Sequence, residues 1–175
     1  MRCSRQLIGA IERGQLDDVG VLQLARYSAI VGLDLSVRAF PATPLLHDIG
    51  QLRLLDRFKD LVGDGWSWRS EVSVTADPRD RRAIDALLER DRASIGAEAV
   101  TRLLDAQGQT RTILQKQEAA GLACMLLVLS DTRLNRLAAD AASATLGPAF
   151  PLGARQVLAD IRGGRQPAAN GLVFA

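Results

Sequence analysis

Apolar and polar positions follow two periods along this chain, and the periods divide it into helices and strands. Ser4 is a good N-cap, Leu7, Ile8 and Ile11 follow at helical spacing, and Gly14 stops the segment. A second short helix is predicted from Val19 to Val31, with Leu22, Ala25, Tyr27 and Ile30 as apolar positions and Gly32 closing it. Leu33 to Phe40 alternates, Leu33, Leu35, Val37 and Ala39 against Asp34, Ser36 and Arg38, and predicts a strand. The prolines at 41 and 44 divide the chain. Leu45 to Val62 is helical in period, with a stripe of Leu45, Ile49, Leu52, Leu55, Phe58 and Leu61. After a Gly63–Gly65 turn, Trp66 to Thr75 alternates as a strand, and Asp77 to Asp80 is a loop. Ala83 to Leu88 and Ser94 to Val100 predict two strands around Glu89 to Arg92. Thr101 to Ala120 predicts a polar-faced helix. Leu122 to Leu129 is apolar throughout, as a strand covered on both faces must be. Asp131 to Thr145 and Ala154 to Arg162 predict helices, and Gly171 to Phe174 a last strand. Strands first and β–α alternation afterwards define an α/β (α+β) fold, a sheet flanked by helices.

Composition narrows the class. The chain has 175 residues, 47% hydrophobic and 4% aromatic, which suits one globular domain, or one domain plus a fragment of another. No apolar run reaches the roughly 18 residues a membrane span needs, and the N-terminus lacks the apolar core of a secretory signal. No membrane association is expected. Cys3 and Cys124 form neither a disulfide framework nor a zinc spacing, so a cytoplasmic location is expected. The net charge of +2 neither demands nor excludes a nucleic-acid partner. Of 22 basic residues only Lys59 and Lys116 are lysines. That bias fits a GC-rich genome, and arginine also makes forked contacts to phosphate.

Three acids fall at or inside the predicted strands, where acids are unfavoured: Glu71, Asp85 and Glu98. A hairpin centred between Asp91 and Arg92 sets Asp85 directly opposite Glu98, with Cβ atoms about 4.5–5.5 Å apart. Two anions that close need an offset: a raised pKa, an arginine or a divalent cation such as Mg²⁺. The alternative on spacing alone is that Asp85 ends its strand in solvent and Glu98 pairs with Arg69 or Arg102.

The segments Trp68–Val72, Asp80–Asp85 and Ile95–Ala99 resemble the restriction-endonuclease-like PD-(D/E)xK pattern. Thr101–Gln107 and Ser130–Arg136 narrow the resemblance to the C-terminal domain of actinobacterial Xre-type helix-turn-helix proteins. It covers residues from about Leu33 to the C-terminus and implies a mixed restriction-endonuclease-like sheet over residues 33–175. It also implies catalytic roles for Glu71, Asp85, Glu98 and Gln107 if the site is active, with Asp85 and Glu98 as metal ligands. No cofactor is required for a degenerate site, and Mg²⁺ is the metal an active one takes. The lysine of the pattern falls on Val100, which can neither donate a hydrogen bond nor stabilise a phosphate, so the resemblance implies a site that does not complete hydrolysis. Lys116 sits about four turns along the following helix, too far to supply a displaced amine. Asp131 and Thr132 follow the most apolar strand, where ligands collect in open sheets, or cap the next helix.

Cys3 to Gly14 is similar to the recognition helix and exit turn of Xre-type (lambda-repressor-like) domains. Residues 1–32 then form a partial helix-turn-helix segment that begins at its third helix, and the true start is expected upstream of Met1. The resemblance implies Ser4, Arg5 and Gln6 as base-contacting residues, Arg suiting guanine and Gln adenine. It also implies DNA as the partner of the full-length protein, and a homodimer. His47, the only histidine, reads as an exposed helix residue, and no P-loop, dinucleotide glycine pattern or CxxC occurs. Three functions follow: a DNA-binding transcriptional regulator with a degenerate nuclease-like domain; a Mg²⁺-dependent DNA nuclease; and a protein-interaction module of an antitoxin- or defence-linked complex.

Overall fold

Six strands hydrogen-bond into one sheet in the order β1-β2-β3-β4-β6-β5. They are β1 (Ser67–Ser73), β2 (Ala83–Arg90), β3 (Ala93–Val100), β4 (Cys124–Leu129), β5 (Leu152–Gly153) and β6 (Gly171–Phe174). The first three form an antiparallel meander, and β3/β4, β4/β6 and β5/β6 pair in parallel, so the sheet is mixed. This computed structural model describes residue 9, residues 20–36 and residues 44–175, the side chains of 44–48 excepted. The chain divides into two compact units, Met1–Pro41 and Ala42–Ala175.

In the first unit, helix α1 (Val21–Ile30) ends where Gly32 turns to φ 75 and Leu33 N–H reaches back to the Ser28 carbonyl at 2.8 Å. That closure is open to glycine because it needs a left-handed backbone. No residue of α1 is buried. The strand predicted from Leu33 is not formed over the described residues 33–36, which are exposed and without regular structure. The alternating pattern there has no partner strand among the described residues to pair with.

In the second unit, α2 (Pro44–Val62) and α6 (Ala154–Arg162) cover one face of the sheet, while α3 (Ala106–Ala119) and α5 (Ser143–Ala149) cover the other. On the first face Leu54, Phe58, Val62, Val157 and Ile161 pack on Ala97, Ala99, Leu126 and Val128. On the second, Ile113, Leu146 and Phe150 pack on Ile84, Met125, Leu127 and Leu129. All six residues of β4 are buried, and each large side chain removed from water there stabilises the fold by about 1.5–3 kcal/mol. The buried stripe of α2 is centred on Leu54, Phe58 and Val62, while Ile49 and Leu52, expected in the core, are exposed. The helix rolls so that Leu52 borders a cleft instead.

Two boundaries differ from expectation for tertiary reasons. α3 starts at Ala106, not Thr101, because Asp105 caps it, accepting from Gly108 N–H at 2.9 Å. Asn135, 1% exposed, meanwhile accepts from Leu103 N–H and donates to the carbonyls of Thr101 and Ser130, which holds that stretch non-helical. The helix predicted over Asp131–Thr145 splits at Ala142 into α4 (Arg133–Ala141) and α5, which re-aims the chain so that Leu146 and Phe150 reach the core. The two-residue strand β5 is too short to leave an alternating pattern.

Candidate active site

The β2–β3 ladder runs from Arg90↔Ala93 to Ala86↔Ala97 around the Asp91–Arg92 turn, where Asp91 adopts φ 53. One further step of this register brings Asp85 opposite Glu98. There the ladder gives way to a side chain: Asp85 Oδ2 accepts from Ala99 N–H at 2.8 Å. Asp85 therefore sits in the fork where the two strands part, not at a strand end in solvent. On the other side of β2, the pairs Ser70↔Ala86 and Val72↔Ile84 bracket Glu71 opposite Asp85. Glu71 has φ 55, a left-handed backbone uncommon for a residue with a side chain. Three neighbouring strands thus bring Glu71, Asp85 and Glu98 into one row.

The offset for this negative charge is Lys116. Its Nζ donates to the two Glu98 carboxylate oxygens at 2.9 and 2.7 Å, with the side chains 15% and 9% exposed. The expectation that Lys116 lies too far along its helix is overturned. α3 folds back over the sheet after β3, so a position late in the helix returns to the level of the strand. Helical side chains lean towards the N-terminus, and the lysine stem covers the remaining distance. Arg69 pairs instead with Glu89 at 3.5 Å, and Arg102 is exposed.

Burial and the neighbouring Asp85 charge push Glu98 up to about 7, against the pull of Lys116. Burial likewise raises Asp85, helped by Glu71 and opposed by the Ala99 hydrogen bond and the Lys116 charge. A cleft of about 200 Å³ lined by Gln51, Leu52, Leu55, Glu71 and Asp85 opens on two of the three acids. Gln51, which the sequence did not single out, donates from Nε2 to the Ala99 carbonyl at 3.0 Å and braces the fork.

Asp85, Glu98 and Glu71 offer only hard oxygen donors, which suit a divalent cation that keeps most of its waters. Among the described residues no group of three or more His, Cys, Asp or Glu is arranged as a ready metal cage. A cation held through Asp85 and Glu98 would share these carboxylates with Lys116 and with Ala99 N–H.

Other expected residues fall elsewhere. Gln107 is exposed in the first turn of α3, roughly 13 Å along the helix axis from Lys116, and is not brought to the acids. Val100 ends β3 and packs against the second core. Thr132 caps α4, accepting from Asn135 N–H at 3.1 Å, and Asp131 is gripped by Arg136 at 2.6 and 2.9 Å. Ser4, Arg5 and Gln6, and the side chain of His47, lie outside the described residues. Lys116 did carry a sequence signal: it is one of two lysines in a chain whose other basic residues are arginines.

No helix among the described residues is long and apolar enough to cross a membrane. No protein-family model matches the chain, and no curated protein or solved structure is significantly similar to it.

Proposed function

We propose that the unit of residues 42–175 is a divalent-cation-dependent nuclease that hydrolyses the phosphodiester backbone of DNA in the cytoplasm. Asp85 and Glu98 are its acidic pair, and Lys116 supplies the amine that Val100 cannot. The observation that carries this reading is the two-pronged contact of Lys116 Nζ with Glu98 at 2.9 and 2.7 Å, beside Asp85 in the strand fork. It restores to the site the one group whose loss argued against hydrolysis.

Asp85 and Glu98 would hold the cation, which supplies a polarised water and positive charge against the phosphate when bound. The chain's own residues do the rest. Lys116 fixes the Glu98 rotamer through two charge-assisted hydrogen bonds. Gln51 and Asp85 hold the fork at Ala99 from its two sides, so the acids keep their spacing.

A second reading is a DNA-binding regulator of Xre helix-turn-helix type in which this unit no longer cleaves. One observation favours it: both Glu98 oxygens are already engaged by Lys116. Supercoiled plasmid incubated with the protein and Mg²⁺ or Mn²⁺ separates the two. The nuclease reading expects nicking that disappears in Asp85→Ala, Glu98→Ala and Lys116→Met. Intact plasmid throughout, with sequence-specific DNA binding, would replace it by the regulator.

A further inference from the structure

We infer that a second cleft, beside Arg53 and Arg57, binds a phosphate of the nucleic-acid backbone and holds the strand next to the acids; the inference rests on the nuclease reading. This cleft has a volume of about 550 Å³ and is bordered by Gly50, Arg53, Arg57, Thr101, Ser130 and Thr132, together with Asp131 and Ala175. It opens where the parallel strands β3, β4 and β6 end, since Thr101, Ser130 and Ala175 directly follow them. The carboxyl ends of parallel strands are where ligands gather in open sheets.

Its floor is fixed. Asn135 donates to the carbonyls of Thr101 at 3.0 Å and Ser130 at 2.9 Å, tying two strand ends together. Its wall is α2, which crosses the end of β3 so closely that a Cβ on Gly50 would stand 3.1 Å from Thr101 Cγ2. The next residue, Gln51, faces the acidic cleft, so the two clefts share one wall.

Charge identifies the ligand. Arg53 and Arg57 are exposed and one helical turn apart, so their guanidinium groups serve the same flank of α2. Among the described residues neither has an ion pair. The one acidic side chain at the cleft, Asp131, is neutralised by the forked Arg136 contact. Two unpaired guanidinium groups with the hydroxyl groups of Thr101, Ser130 and Thr132 suit a phosphate. Glu71 and Asp85 on the far side of the same wall repel free anions, so a strand anchored by a backbone phosphate beside them suits the pair of clefts.

The test measures binding of a labelled 30-base-pair duplex to the full chain carrying Asp85→Asn, by fluorescence anisotropy across a salt series. Adding Arg53→Gln and Arg57→Gln together is expected to weaken binding tenfold or more at low salt. It should also lower the slope of log affinity against log salt by roughly two, one per lost phosphate contact. Arg92→Gln with Arg155→Gln removes equal charge from exposed positions elsewhere and is expected to change affinity less than about twofold. Wild-type-like binding by the Arg53/Arg57 variant, with plasmid nicking retained by Arg53→Gln/Arg57→Gln in the chain that keeps Asp85, would overturn the phosphate cleft and leave the nuclease standing. Duplex affinity unchanged by the Arg53/Arg57 substitutions, together with saturable binding of inorganic phosphate that the substitutions remove, would overturn it in favour of a free-phosphate pocket. Weakened binding confined to the Arg53/Arg57 variant, with no nicking by wild type, would uphold the cleft and remove the nuclease.

Discussion

Lys116 Nζ stands 2.7 Å from one Glu98 oxygen and 2.9 Å from the other, which ties the last turns of α3 to the end of β3 across a mostly buried contact. Removing one partner of such a pair leaves the other charge desolvated and alone. Lys116→Met is expected to cost about 3 kcal/mol at pH 8 and distinctly less at pH 5, where Glu98 carries a proton. Urea unfolding at the two pH values checks this, and an equal cost at both would refute the pairing.

The wild-type protein should lose stability as pH rises through neutrality. Glu98 holds its proton up to about pH 7 in the folded chain but releases it near its ordinary value of 4.5 when unfolded. Between those values the folded state binds more protons, so the contribution is complete below 4.5 and lost as pH passes 7. The raised Asp85 acts in the same direction. Unfolding free energy measured from pH 4.5 to 8 should fall by roughly 2–3 kcal/mol from Glu98, and Glu98→Gln should flatten the curve.

Asp85 acts as an acceptor for backbone as well as an acid. Asp85→Asn can still accept from Ala99 N–H, whereas Asp85→Ala leaves that donor unpaired in the fork. Thermal unfolding should find Asp85→Asn close to wild type and Asp85→Ala weaker by about 1–3 kcal/mol. Both should abolish nicking, which separates the structural role from the chemical one.

Asn135 satisfies three backbone groups from one buried side chain. Asn135→Ala is expected to destabilise by about 3 kcal/mol or more, because several donors and acceptors lose partners together. Asn135→Asp should be costly as well, since it cannot donate to the carbonyls of Thr101 and Ser130. Denaturant midpoints for the two variants against wild type decide the matter.

Sequence reading reached the acids and missed the cation that pairs with them. The opposition of Asp85 and Glu98 follows from one local fact, the centre of the turn at Asp91–Arg92, because an antiparallel register is fixed once its turn is. Lys116 could not be reached in the same way. Its distance from Glu98 along the chain is long, and only the return of α3 over the sheet makes it short in space. The late start of α3 depends on Asn135, 32 residues downstream of Leu103, and no local pattern announces that. Ile49 and Leu52 look like core by period but border a surface, since helical period gives the apolar arc and not the roll of the helix about its axis. The alternation from Leu33 is real, but a strand needs a partner, and pairing is not a local property.

The position of β6 has a consequence for synthesis. β5 meets the sheet only through β6, and β6 also covers the open side of β4. A nascent chain that has emerged only as far as Phe150 therefore presents Cys124–Leu129, apolar at every position, as a bare edge able to pair with another chain. That hazard ends only when Gly171–Phe174 clears the ribosome and slots between β4 and β5. Slow translation through residues 150–170 would prolong the exposed interval, and rapid completion of this stretch would shorten it.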